Sequence, residues 1–392
     1  MIIKTAILIA LLGLFLDFKA YGRISKYCTT KLSKLAYIAV AVLSYLLIML
    51  VPVVMYFCIS EENSIFMMKF SMGMLTAFLT LFIPRQLFNI LALLSKKRAW
   101  IWTSVAVSSF VSILFIYSIF VTRTDYNIKE VKLHYDNLPA GFDGYRIAFI
   151  SDIHIGTMLD AESELEDIFR MVNEAGVDAV LFGGDMVNVH HSEVDGNIMN
   201  MFSSLKPRDG VFMVLGNHDT GAYMKNSTEA KRDSNMDSLK HKMQRAGWVV
   251  LRDCTAYIHR GVDSIAITGI DFNEQLLKYK HSLDAVNGVD LSHIYNNVDD
   301  SVFNITISHL PQLWHLLCDN GYSDLTLSGH IHAMQMKIFF FSPARLMYKE
   351  WSGLYENENG KLYINDGIGC VGYLARIGAR PEITVIELHL RE

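Results

Sequence analysis

Apolar positions fill the first third of the chain almost without a break, and past residue 145 they begin to alternate with polar ones at the spacings of strands and helices. Four apolar runs open the sequence, at 5–16, 35–58, 70–94 and 100–121. The second and fourth are long enough to cross a hydrocarbon core of ~30 Å as helices. Helices satisfy their own backbone hydrogen bonds there, which isolated extended segments do not. The first run is short, and a signal segment is its rival. Only Ala20-Tyr21-Gly22 faintly resembles a cleavage site, and further apolar segments follow. Four spans are therefore expected, or three if the first run is a signal segment.

The later pattern is that of a globular domain. Residues 146–151 read as a buried strand. Leu165, Ile168, Phe169 and Val172 then fall on one helical face, with Gly176 as the stop. A strand at 179–182, a helix around 198–205 and a strand at 211–215 come next. A further helix, with Met236, Leu239, Met243 and Ala246 on one side, ends at Gly247. The runs 265–270, 303–307, 325–328, 362–365 and 383–388 read as strands, several with little helix between them. A β-α-β-α-β opening with a mostly β ending suits an α/β fold, a sandwich of two packed sheets flanked by helices. The division expected is an all-α membrane domain of about four helices over 1–121, a linker and first strand over 122–144, and the α/β domain over 145–392.

Charge separates the same two parts. Up to residue 121 there are eleven Lys or Arg against three Asp or Glu, so the remainder of a chain of net charge −5 carries −13. A positive mean hydropathy of +0.25 and an apolar fraction of 51% reflect the front alone. An acidic second half argues against nucleic acid as a partner, since phosphate-backbone binding needs surplus Lys and Arg. Lys19, Arg23, Lys26, Lys31 and Lys34 lie between the first two runs, and Lys96, Lys97 and Arg98 between the last two. The middle connection offers Glu61 and Glu62 and no cation before Lys69. Positive-inside bias puts the two basic loops in the cytoplasm and hence the acidic domain on the extracytoplasmic face. Arg85 follows Pro84 within the third run, where a charge is costly unless it faces a partner. It reads either as a residue facing the bundle or snorkelling at a proline kink, or as a holder of a lipid phosphate. The five cysteines, Cys28, Cys58, Cys254, Cys318 and Cys370, form no CxxC pair and read as free thiols.

Candidate chemistry sits where the strands end. Asp152 and His154 follow the first strand, Gly184 and Asp185 the second, and Gly216, Asn217, His218 and Asp219 the third. His309 follows the run 303–307, and Gly329, His330, Ile331 and His332 follow the next. Side chains at the carboxyl ends of neighbouring strands converge on the open edge of such a sheet. Carboxylates and imidazoles with no thiolate suit Mn, Zn or Fe. Each histidine taken singly is more often a satisfied core residue; the set is not.

The ordered blocks Asp-x-His, Gly-Asp, Gly-Asn-His-Asp, a lone His and Gly-His-x-His resemble the calcineurin-like metallophosphoesterase superfamily, over roughly residues 144–380. Ile150 to Gly156 and Gly378 to Ile383 are similar to a branch found with membrane segments or export signals. In that branch two glycines usually precede the Gln after Gly-His-x-His, whereas this chain has Ala333 and Met334 before Gln335. The resemblance implies two divalent metal ions, with Asp152, His154 and His332 on one, Asn217, His309 and His330 on the other, and Asp185 bridging. It implies a metal-bound hydroxide attacking a phosphomonoester or phosphodiester. His218 would protonate the leaving group, with Asp219 orienting it from behind. A lipid bilayer is the expected partner, with a lipid-linked or envelope phosphoester the favoured substrate. Family members that cleave the pyrophosphate of a UDP-diacylglucosamine do so facing the cytoplasm, against the orientation above. Arg376 and Arg380 are candidates for a phosphate clamp or for surface ion pairs, and His190, His191 and the stretch 220–232 for the pocket wall. Trp248 and Trp314 read as core. The rival functions are a catalytically silent metal-binding membrane sensor or scaffold, and a nuclease.

Overall fold

The computed structural model describes residues 2–391 other than 28, 29, 61, 62, 287, 300 and 340, so Cys28, Glu61 and Glu62 lie outside the described residues, as does the Cys58 side chain. Two compact units form. One comprises Met1–Thr122 with Val371–Ile377, the other Arg123–Cys370 with Gly378–Glu392.

The first unit contains α1 (Ile2–Ile24), α2 (Lys31–Val53), α3 (Ser64–Leu94) and α4 (Arg98–Phe120). All four helices are long and apolar enough to cross a membrane. The first extends well past the short run read from the sequence, because Asp17, which interrupts that run, is neutralised by its neighbours. Its carboxylate pairs with Arg85 at 3.2 Å and accepts hydrogen bonds from Tyr45, from Tyr37 at 3.3 Å and from Asn89 Nδ2 at 2.6 Å. The Arg85 guanidinium also lies over the Tyr45 ring, 4.8 Å from its centroid. Of the two readings of Arg85, the structure shows the bundle-facing one. Small polar residues are absorbed by the helix carrying them. Ser104 and Ser112 donate to the carbonyls four residues back, at 2.8 and 3.1 Å. The segment Val371–Ile377 packs within this unit, Leu374 N–H donating to Thr76 Oγ1 at 2.8 Å.

The second unit holds two six-stranded sheets. One contains β1 (Asn127–Tyr135), β2 (Tyr145–Ile150), β3 (Ala179–Phe182), β4 (Val211–Met213), β5 (Val249–Val250) and, near the end of the chain, β12 (Glu382–Leu390), in the order β1-β12-β2-β3-β4-β5. The other contains β6 (Cys254–Arg260), β7 (Asp263–Gly269), β8 (Asn304–Ile307), β9 (Leu325–Ser328), β10 (Gly353–Asn357) and β11 (Gly360–Ile364), in the order β10-β11-β9-β8-β7-β6. β1 pairs with β12, so a strand lies within 122–144 as expected, and residues 127–135 belong to this unit's sheet. Strands β2 to β5 run parallel to one another, and so do β7, β8, β9 and β11.

Alternation decides which way each strand faces. Ile147 and Phe149 of β2 join Ile267, Ile305 and Leu327 of the second sheet in a core between the sheets. Ala148 and Ile150 turn outward onto Leu165, Ile168 and Phe169 of α5 (Ala161–Glu174) and onto Met236 and Leu239 of a helix over Glu229–Arg245. A strand apolar on both faces is what a two-layered covering requires. Trp248 and Trp314 are buried, as read from the sequence. The helix expected around 198–205 is a short helix, Asn197–Met201, finished by a 3-10 turn. Among the described residues, Cys254, Cys318 and Cys370 are in no disulfide.

Candidate metal centre

Five parallel strands deliver the site, each ending one to four residues before its block. The chain then bends abruptly. Asp152, His154, Asp185, His330 and His332 adopt positive φ of 56, 48, 56, 74 and 53°. Left-handed backbone on non-glycine residues costs of order 1 kcal/mol or more each and collects at functional sites. Two neighbouring glycines let the turns close. A Cβ on Gly216 would lie 2.1 Å from Asp185 Oδ1, and one on Gly329 would lie 2.0 Å from Ser151 Oγ.

The seven expected ligands meet. His332 Nε2 lies 2.9 Å from Asp152 Oδ1 and 3.3 Å from His154 Nε2. His154 Nε2 lies 3.7 Å from Asp185 Oδ2, and His309 Nε2 3.2 Å from the same oxygen. His309 Nε2 is also 3.1 Å from Asn217 Oδ1. Ligand atoms of Asp152, His154 and His332 lie within 4.8 Å of one another, and so do those of Asp185, His309 and His330. Two carboxylates therefore sit among four imidazoles in a buried setting, with Asp185 between the two groups.

The electrostatics suit cations. Burial raises the Asp152 and Asp185 carboxyls, but the adjacent imidazoles, His332 for Asp152 and His309 for Asp185, outweigh it and hold both below the usual range. Burial lowers His154 and His218, and brings His330 to about 3, so these imidazoles are neutral and able to donate a lone pair. His309 is the exception, since burial is outweighed by Asp185 and its pKa rises to about 9. Neutral nitrogens and ionised oxygens converging on one space are the donor set a divalent ion requires. The residues fit the ions that the resemblance implies.

Second contacts fix the donors. His309 Nδ1 donates to Gly183 O at 2.8 Å, and Ser151 Oγ donates to Asp152. His218 lies edge-on to His154, with ring centroids 4.7 Å apart. Its Nδ1 donates to the Asn188 carbonyl at 2.7 Å, so the orienting partner is this carbonyl and not Asp219. Asp219 instead accepts three backbone N–H groups, of Asp185 at 2.8 Å, Gly216 at 2.9 Å and Val187 at 3.0 Å, which staples the second and third turns together. Burial and the nearby Asp185 push its carboxyl up to about 7, while those N–H groups pull the other way.

Two residues of the site were not read from the sequence. Half-buried Glu193 accepts backbone N–H groups from Gly156, Asn188, Val189 and His190 at 2.6–3.1 Å, and so sets the Asn188 carbonyl on which His218 rests. Its signal was a Glu three residues after His190, the spacing of a capping box. Tyr223, inside the stretch 220–232, stacks on His218 at 4.2 Å and accepts from Asn217 Nδ2 at 2.9 Å. Other candidates go elsewhere. Arg380 forms an exposed ion pair with Asp125 at 2.7 Å, and Arg376 is buried within the helical unit. His190 pairs with Ser192 Oγ at 2.9 Å, and the His191 carbonyl accepts from Lys242 at 2.8 Å.

Comparison with known proteins finds a family model, curated relatives and solved structures that resemble this chain. Residues 145–334 match the family model described as calcineurin-like phosphoesterase. A zebrafish (Danio rerio) transmembrane protein with metallophosphoesterase domain is 29% identical over 71% of this chain and 60% of its own length. An uncharacterized metallophosphoesterase of Bacillus subtilis, YkuE, is 27% identical over 68% of this chain and 85% of its own. Among solved structures, a phosphopantetheinyl hydrolase from Mycobacterium tuberculosis aligns at 13% identity and a TM-score of 0.35, covering 56% of this chain and 88% of that one.

Proposed function

We propose, from the premise that this chain carries a calcineurin-like metallophosphoesterase domain, that it hydrolyses a phosphomonoester or phosphodiester at a two-metal centre beside a bilayer. The observation that carries this reading is the placing of Asp185 between two ligand groups, His154 with Asp152 and His332 on one side, His309 with His330 on the other. Bound divalent ions would activate a water and polarise the phosphoryl oxygens. Asp152, His154 and His332 would hold one ion and Asn217, His309 and His330 the other, with Asp185 available to both. Two carboxylates leave such a site at a net charge of about +2, matched to a phosphate ester dianion.

His218 is the proton carrier. Its Nδ1 proton is committed to the Asn188 carbonyl, so Nε2, on the ring edge away from that bond, is the atom that takes up a proton and passes it on. Tyr223 keeps the ring flat against one wall. Glu193 and Asp219 act through the backbone, holding the turns that present Asn188, Asp185 and Gly216.

Four membrane-length helices support a substrate that is lipid-linked or confined to the envelope, and the basic loops support an extracytoplasmic site. The test of the reaction is hydrolysis of a chromogenic phosphodiester by the full chain in detergent, with and without Mn. Metal-dependent turnover that disappears in Asp185→Asn and His218→Ala is expected. Turnover indifferent to both substitutions would end the enzymatic reading. A reporter fused to the C-terminus tests the orientation.

A further inference from the structure

Directly after the ligand His332, the chain forms a loop whose apolar side chains point outward. Ile338 is 46% exposed, Phe339 96%, Phe341 47%, Leu346 77% and Met347 44%. In a water-facing domain such a cluster is costly and marks an interaction surface. Its exposure is built in, because the loop is fastened at several points. Ser342 Oγ donates to the Ala333 carbonyl at 2.8 Å, Met336 bridges to Gly378, and Ile338 and Phe341 exchange backbone hydrogen bonds at 2.9 and 3.0 Å. Lys337 Nζ reaches Ser352 Oγ at 2.7 Å. Exposed Arg345 and Lys349 flank the apolar side chains. Leu346 and Met347 also line a cleft of about 560 Å³ with Pro311, Gln312 and His315, the turn that follows the ligand His309.

We propose that this surface docks into the headgroup–acyl boundary of a lipid bilayer. Aromatic and aliphatic side chains beside Arg and Lys are the composition that lies in that boundary, the apolar groups entering and the cations meeting anionic headgroups. A second copy of this chain is the poorer occupant. Five side chains on one loop fall far short of the roughly 20–30 residues per side of a stable protein interface. The covalently joined membrane-length helices keep a bilayer at hand, so even weak docking would be highly occupied. Both ends of the surface adjoin turns that carry metal ligands, so docking would present the centre to a phosphoester in the lipid. That consequence rests on the hydrolytic reading, whereas the docking does not.

The test is photocrosslinking of the full chain in nanodiscs of phosphatidylglycerol and phosphatidylcholine. The substitutions are Phe339→p-benzoylphenylalanine, Leu346→p-benzoylphenylalanine and, as control, Val262→p-benzoylphenylalanine at the fully exposed β6–β7 turn. Lipid adducts at 339 and 346 at least several-fold above those at 262 are expected. Yields equal to the control would overturn the proposal, as would chain–chain products replacing lipid adducts in vesicles. Lipid adducts in a chain that cleaves no phosphodiester would keep the docking and reject the hydrolysis.

Discussion

Both units of this chain bury charge, and they do so in opposite ways. Among the helices, the Asp17 carboxylate receives one cation and three hydrogen-bond donors, and its charge is cancelled where it stands. Between the ends of the strands, Asp152 and Asp185 face imidazoles of which those of His154 and His330 are neutral, so oxygen and nitrogen lone pairs are left converging on shared space. The first arrangement is closed and serves packing. The second is open to a cation, and strained backbone holds it that way. A buried polar cluster is thus read by what its lone pairs face, more than by its burial.

Breaking each cluster should separate the two roles. Asp185→Asn and His218→Ala should each lower kcat by a factor of about 10³ or more for phosphodiester cleavage, with little change in thermal stability. Arg85→Met should do the reverse. Leaving Asp17 unpaired should cost about 3–5 kcal/mol in unfolding measured in mixed micelles, with kcat per folded molecule unchanged. The double change Arg85→Met with Asp17→Asn should recover most of that loss, because no charge is then stranded.

A smaller effect concerns pH. With its pKa raised to about 9 by Asp185, His309 in the metal-free protein contributes stability that is full below about 6.5 and is lost as pH climbs through 9. A metal must displace that proton. Calorimetric affinity for Mn should therefore rise roughly tenfold per pH unit up to about pH 9, while His309→Ala should remove most of the slope along with much of the affinity. The smallest effect expected is at the loop after the ligands. Ala333 and Met334 both sit at φ 48°. Met334→Gly should raise the melting temperature, by about 1 kcal/mol of relieved left-handed strain.

Much of this was legible in the sequence because it is local. Strands read from apolar runs, such as 179–182 and 325–328, reappear within a residue, and the two-sheet class followed from the order of elements. The seven candidate ligands could be named by residue type and strand-end position, and the structure brings their side chains together. Roles transmitted through the backbone stayed hidden. Glu193 acts through the Asn188 carbonyl, and Asp219 binds three N–H groups from two turns; the capping-box spacing marks Glu193 as a turn residue, but residue type alone points to neither task. The length of α1 was masked in the same way. Asp17 ends an apolar run on paper, and only its contact with Arg85, far along the chain, makes it compatible with a membrane-length helix. β6 and β10 are partly exposed strands with weak apolar signal, and were missed for that reason.

Counting bound metal is the most direct check on the central claim that two ions share Asp185. The full chain, reconstituted with Mn and freed of excess metal, should hold two ions per chain by elemental analysis. Asp185→Ala should release both, and His309→Ala one. A wild-type protein that retains no metal, or an Asp185→Ala protein that retains two, would contradict it.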